Sequence, residues 1–101
     1  MNNEVLNAIK TRRSIRKYKA EQITDEQLDA ILEAGTYAAT GMGKQSPVIV
    51  VVQKPELIAK LSKMNAAVMG TTSDPFYGAP TVLIVLADPE RGTYVEDCLL
   101  Y

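Results

Sequence analysis

A run of basic and hydroxyl-bearing residues near the amino terminus has the composition of an anion-binding site. Arg12, Ser14 and Arg16 recur at every second position. In an extended segment this spacing places the three side chains on one side of the chain. Two guanidinium forks and a hydroxyl suit the oxygens of a phosphate group. Arg13 either points the other way or lies at the edge of the same pocket.

The basic run has two competing interpretations. It could be a solvated loop whose charge balances the acidic helix predicted over residues 25–33. It could also be a nucleic-acid patch, which normally requires a basic surface with interleaved aromatic side chains. The formal net charge of −1 and the scarcity of aromatic residues disfavour that second possibility.

Residues 38–47 form a second candidate segment, because two glycines, small polar residues and a proline are typical of a loop. Gly41 and Gly43 would let the backbone approach a planar ligand closely, and its N–H groups could bind carbonyl oxygens of that ligand. Gln45 offers both a donor and an acceptor. Neither common glycine-rich phosphate motif occurs, so an ordinary connection between a helix and a strand is the competing interpretation.

The composition excludes several classes of site. Histidine is absent, which removes the commonest general base and the commonest metal ligand, and we predict neither a catalytic side chain nor a metal site. Cys98 is the single cysteine and cannot form an internal disulfide, as in proteins of reducing compartments. Residues 1–20 contain no signal peptide, and no apolar run is long enough to span a bilayer. We therefore expect no membrane association and a cytoplasmic protein.

The candidate segments lie between alternating helices and strands. Hydrophobic periodicity, capping boxes and turn residues define six elements. The predicted elements are a helix over residues 4–10, a helix from the Thr24–Gln27 capping box to Gly35, a strand over Val48–Val52, a helix from Pro55 to Gly70, a strand over Thr81–Ala87 and a helix from the capping box at Thr93 onward. One sheet with helices on both faces is the natural layering, and the sequence leaves parallel and antiparallel pairing of the strands open.

The last predicted helix reaches the end of the chain at Leu99-Leu100-Tyr101 without a stop signal. A helix this short is marginal alone, and its apolar end requires burial. We expect that a longer natural protein was cut here or that a partner chain covers this end. No linker or repeat divides residues 1–101, which predicts a single, partial domain.

Taken together, these segments resemble the FMN-dependent nitroreductase family. Four stretches match the family in order and spacing: residues 12–18, residues 39–47, residues 77–82 and residues 95–98. The resemblance implies an α+β fold, a three-layer α/β/α sandwich with a mostly antiparallel sheet, of which this chain would be the N-terminal half. It also implies a homodimer with FMN at the subunit interface.

The resemblance assigns roles to both candidate segments. The basic run would hold the FMN phosphate and ribityl chain, and the loop before Pro47 would lie against a flavin bound mainly by the partner subunit. Two departures fit a divergent subgroup: Gly43 stands where the family commonly has Asn, and Ser46 separates Gln45 from Pro47. The implied cofactor-binding residues are Arg12, Arg13, Ser14, Arg16, Thr40, Gly41, Gly43 and Gln45.

The implied reaction is a ping-pong hydride transfer from NAD(P)H through FMN to a small electron-poor acceptor such as a nitroaromatic or a quinone. Such chemistry belongs to the flavin and needs no protein nucleophile or base, so it is compatible with the absence of histidine. Arg16 is the candidate for stabilising negative charge at the pyrimidine edge of the reduced ring. The alternative function is a non-catalytic flavin- or anion-binding module, or an inert fragment.

Overall fold

The computed structural model describes residues 2–39, 47–90 and 95, and within them the helices and strands follow the predicted order. The final helix predicted from Thr93 onward lies outside the described residues, except for Val95. The elements are α1 (Glu4–Thr11), α2 (Asp25–Thr36), β1 (Val48–Val52), α3 (Pro55–Met69) and β2 (Val82–Leu86).

The first two helices begin at side-chain caps. Asn3 Oδ1 accepts a hydrogen bond from Leu6 N at 2.8 Å at the start of α1. At the start of α2, Gln27 N donates to Thr24 Oγ1 at 3.1 Å and Thr24 N donates to Gln27 Oε1 at 3.0 Å. The predicted capping box is confirmed, and it satisfies the backbone donors of Thr24 and Gln27.

Proline and glycine delimit α3 as the sequence predicts. Pro55 occupies the first turn, where its missing N–H and fixed φ are tolerated. Gly70 follows the helix with a left-handed φ of 71°, and Thr71 N donates to Ala66 O at 3.0 Å. This pattern closes the helix end and satisfies carbonyls that would otherwise lack partners.

The prediction that Gly35 stops α2 is wrong, because the helix continues through it to Thr36. A Cβ atom at Gly35 would lie 3.2 Å from Ile49 Cδ1 on β1. The glycine is therefore a point of close contact between α2 and the sheet. Tertiary packing explains its place, even though glycine lowers intrinsic helix stability.

The two strands pair in the antiparallel direction, with Val48 opposite Leu86 and Val52 opposite Val82. This register answers the question that the sequence left open. β2 is one residue shorter at each end than predicted. Helices together with an antiparallel pair confirm the expected α+β class for the described part of the chain.

The described elements bury few side chains. Val52 and Ala66 are 5% and 6% exposed, whereas large apolar side chains such as Val68 remain largely open to solvent. Wide apolar faces are thus available for contact. None of the described helices has the length and apolar character needed to cross a membrane.

Candidate functional site

The basic segment, defined here as residues 12–19, connects α1 with the approach to α2. It leaves α1 at Arg12, whose φ of −54° and ψ of 140° lie near the polyproline II conformation. Neither helix nor strand is present between Thr11 and Asp25. Every residue of the basic segment is exposed. The segment therefore provides the irregular, solvent-facing backbone that the alternating pattern requires.

Three side chains of the basic segment have no partner within the described chain. Arg12, Ser14 and Arg16 make no hydrogen bond or ion pair there. A guanidinium carries five N–H donors and cannot lose its charge in a protein. Within the part of the chain that the structure describes, these donors are therefore available to an external anion.

Arg13 behaves differently from its neighbours. Its Nη1 atom donates to Lys10 O at 3.2 Å and to Arg12 O at 2.8 Å. Both carbonyls lie at the carboxyl end of α1, where a cation interacts favourably with the helix dipole. The structure thus separates Arg13, which satisfies the helix end, from Arg12 and Arg16.

Tyr18 folds the far end of the basic segment back on itself. Its Oη atom donates to Ile15 O at 3.0 Å, across Arg16. The same ring lines an apolar groove of about 430 Å³ together with Phe76 and Tyr77. Tyr18 therefore belongs to the basic segment and also lines a groove shared with the loop that precedes β2.

The second candidate segment falls outside the described residues. Thr40, Gly41, Gly43 and Gln45 were predicted to contact the flavin ring, and their assignment remains a prediction. Pro47, which follows the segment and precedes β1, is buried.

The Asp74 loop, defined as residues 74–80, leads into β2 and is held by one carboxylate. Asp74 Oδ1 accepts hydrogen bonds from Ser62 Oγ at 2.7 Å and Phe76 N at 2.9 Å, and Oδ2 accepts from Gly78 N at 2.8 Å. The Ser62 hydroxyl, followed by the two backbone donors, lowers the pKa of Asp74 below its ordinary value, against a smaller opposing effect of burial.

The backbone of this loop requires unusual conformations. Tyr77 and Gly78 both have positive φ, 53° and 73°. Glycine adopts this region readily, whereas tyrosine does so at a cost. The carboxylate bonds of Asp74 help to hold the turn. Sequence reasoning missed this role, although an Asp directly before Pro75 is a turn signal that could have revealed it.

Three further polar residues form a long-range connection that sequence reasoning also missed. Thr81 Oγ1 donates to Gln22 Oε1 and accepts from Gln53 Nε2 at 3.1 Å. Gln22 Nε2 in turn donates to Pro80 O at 3.0 Å. This Gln22–Thr81–Gln53 hydrogen-bond chain joins the residues just after the basic segment to the end of β1 and the start of β2. No local motif indicates it, because its members are 28 to 59 residues apart.

The described side chains can bind an anion but contain no evident acid–base machinery. They include no cluster of three or more His, Cys, Asp or Glu that could hold a metal ion. The exposed, unpaired guanidinium groups of Arg12 and Arg16 match the donor set that a terminal phosphate requires. Chemistry beyond binding would have to come from a bound molecule.

Comparison with known proteins identifies the family. The model of the nitroreductase family matches residues 9–77. This chain belongs to the nitroreductase family. The FMN reductase [NAD(P)H] of Bacillus subtilis is 37% identical over 90 residues, which are 88% of this chain and 34% of that protein.

Solved nitroreductase structures share the fold of this chain. The nitroreductase with bound FMN from Desulfitobacterium hafniense has a TM-score of 0.87 and 33% identity, covering 99% of this chain and 61% of that one. The nitroreductase with bound FMN from Bacteroides fragilis has a TM-score of 0.86 and 32% identity, covering 98% and 60%. The predicted α+β, three-layer nitroreductase fold is confirmed. The chain spans about half the length of the curated relatives it matches.

Proposed function

We propose that this protein is an FMN-dependent NAD(P)H oxidoreductase that reduces nitroaromatic, quinone or similar electron-poor acceptors by ping-pong hydride transfer. Membership of the nitroreductase family supports the proposal. The similar structures with bound FMN and the relative called FMN reductase [NAD(P)H] support the choice of cofactor and electron donor.

One observation in this chain carries the proposal: Arg12, Ser14 and Arg16 are exposed and have no protein partner in the described chain. A purely structural arginine normally bonds to a carbonyl or a carboxylate, as Arg13 does. Unpaired donors at alternating positions suit the phosphate of FMN, to which charge-assisted bonds are the strong kind.

Each residue of the basic segment then has a distinct task. Bound FMN supplies the hydride-transfer chemistry. Arg12 and Ser14 bind the phosphate end and fix the register of the cofactor. With FMN bound, Arg16 would stabilise negative charge at the pyrimidine edge of the reduced ring by preorganised electrostatics. Arg13, anchored at the end of α1, lies at the edge of this site.

The remainder of the proposed site comes from the second candidate segment. Thr40, Gly41, Gly43 and Gln45 would contact the ring of a flavin bound mainly by a second copy of the protein. A homodimer accords with the wide exposed apolar surface of the described elements. We propose that residues 1–101 form a single, partial domain of such an assembly, located in the cytoplasm.

The test is a flavin titration followed by turnover. The purified protein is titrated with FMN while flavin fluorescence is recorded, and NADH and NADPH oxidation are then measured with a quinone or a nitroaromatic acceptor. The proposal predicts saturable binding and acceptor-dependent oxidation. Binding without turnover would favour the non-catalytic flavin-binding module, and absence of both would contradict the proposal.

A further inference from the structure

The Gln22–Thr81–Gln53 hydrogen-bond chain lies where the residues just after the basic segment meet the sheet. Gln53 directly follows β1, and Thr81 directly precedes β2. The Thr81 hydroxyl uses its one proton toward Gln22 and accepts the amide proton of Gln53. A single hydroxyl therefore connects three separate segments of the chain.

Gln22 makes three hydrogen bonds through one side chain. Its Oε1 atom accepts from Thr81 and from Ile23 N, the latter at 3.1 Å, while its Nε2 atom donates to Pro80 O. With the bond from Gln53 to Thr81, the polar groups of this junction satisfy one another. Such a mutually satisfied network favours one arrangement of the segments that it joins.

A short path leads from Gln22 to the arginines of the basic segment. Tyr18 lines one groove with Pro80 and Thr81, and Ala20 and Gln22 line another with Pro80, so the chain from Tyr18 to Gln22 borders the residues that lead into β2. Tyr18 also bonds to Ile15 O, which precedes Arg16. Between Tyr18 and the end of α1, Arg12, Ser14 and Arg16 make no side-chain bond of their own within the described chain.

We propose that the Gln22–Thr81–Gln53 hydrogen-bond chain positions the basic segment for binding the phosphate of FMN, with Thr81 as the positioning residue. The inference rests on the proposed function. Within the described residues, the side chains of Ser14 and Arg16 have no anchor, so their placement relative to the sheet depends on Tyr18 and on Gln22. Loss of the Thr81 hydroxyl would release the carboxyl end of the basic segment. This loosens Ser14 at the phosphate as well as Arg16 at the pyrimidine edge, so FMN binding weakens more than riboflavin binding.

The experiment compares Thr81→Val, which keeps the side-chain shape and removes the hydroxyl, with Thr81→Ser, which keeps the hydroxyl. Thr71→Val is the matched control, because the Thr71 hydroxyl bonds only within its own turn, to Ser73. Each full chain is titrated with FMN and with riboflavin, which lacks the phosphate. Tryptic cleavage after Lys17 and Lys19, which are both exposed, is measured without flavin.

We expect Thr81→Val to weaken FMN binding about fivefold to tenfold, as the loss of hydrogen bonds at this junction implies. Riboflavin binding should weaken less than FMN binding, trypsin should cleave faster after Lys17 and Lys19, and Thr81→Ser and Thr71→Val should match the unchanged protein. Equal losses for FMN and riboflavin, or unchanged cleavage after Lys17 and Lys19, would overturn the inference.

The two proposals fail in distinguishable ways. If the unchanged protein binds neither flavin, the proposed function is wrong, and with it the claim that Thr81 serves phosphate recognition. If it binds FMN more tightly than riboflavin and Thr81→Val preserves that preference, the proposed function stands and the positioning role of Thr81 is wrong.

Discussion

The basic segment and the Asp74 loop are both irregular connections, but they differ in what satisfies their polar groups. In the Asp74 loop, one carboxylate accepts three hydrogen bonds from the same chain. In the basic segment, Arg12, Ser14 and Arg16 have no such partner in the described chain. A connection that satisfies itself supports the fold, whereas one that leaves strong donors open is suited to a ligand.

Arg12→Ala provides the largest expected effect and tests the ligand side of this comparison. Removing one charge-assisted contact should weaken FMN binding by about 1.5–3 kcal/mol, whereas riboflavin binding and the free energy of unfolding should hardly change. Fluorescence titration and urea denaturation measure the two quantities. Arg13→Ala is the matched control, since its guanidinium bonds to Lys10 O and Arg12 O. Equal FMN losses in both variants would remove the distinction between the two arginines.

Asp74→Ala tests whether the Asp74 loop supports the fold. The change leaves Ser62 Oγ and two backbone N–H groups without their acceptor, and it should lower the free energy of unfolding by about 1–2 kcal/mol. Asp29→Ala, which removes an exposed carboxylate from α2, should leave stability nearly unchanged. Urea denaturation midpoints give the comparison. Identical midpoints for the two variants would show that the Asp74 loop does not depend on its carboxylate.

The pH dependence of stability gives a second test of the stabilising role of the Asp74 carboxylate. The hydrogen bonds lower the pKa of folded Asp74 below its ordinary value of 3.8. Its stabilising contribution is therefore fully present above pH 3.8 and is lost as the pH falls through the lower, folded pKa. The stability difference between the unchanged protein and Asp74→Ala should be constant near neutrality and shrink in acid. A difference that grew in acid would contradict this assignment.

Tyr18→Phe should have the smallest effect, because it removes one exposed hydrogen bond, to Ile15 O. We expect FMN binding to weaken by no more than about threefold. Tyr37→Phe, at a tyrosine that is 81% exposed beyond α2, is the control and should have no effect. A tenfold loss in Tyr18→Phe would show that the tyrosine, rather than Thr81, is the main anchor of the basic segment.

The sequence predicted the features that depend on neighbouring residues. The capping box at Thr24, the proline start at Pro55 and the left-handed stop at Gly70 each require only a few adjacent positions. The alternating basic residues were recognisable for the same reason. Local chemistry is readable because backbone donors near helix ends and turns have few possible partners.

Features that depend on distant contacts were not predictable. Gly35 had the appearance of a helix stop, and only its contact with Ile49 explains why the helix continues. The antiparallel direction of β1 and β2 depends on packing, so the alternation of elements in the sequence left it open. Thr81 and Gln53 looked like ordinary strand-end residues, because their bonds cross 59 and 28 positions of sequence. The anchoring of the basic segment was thus invisible in the sequence.

Comparing the binding of FMN and riboflavin to the unchanged protein shows most directly whether the basic segment recognises a phosphate. The two ligands share the flavin ring and differ in the phosphate. We expect at least about tenfold tighter binding of FMN at low salt, and this preference should decline as salt is added because exposed charges are screened. Equal affinities for FMN and riboflavin at low salt would contradict it.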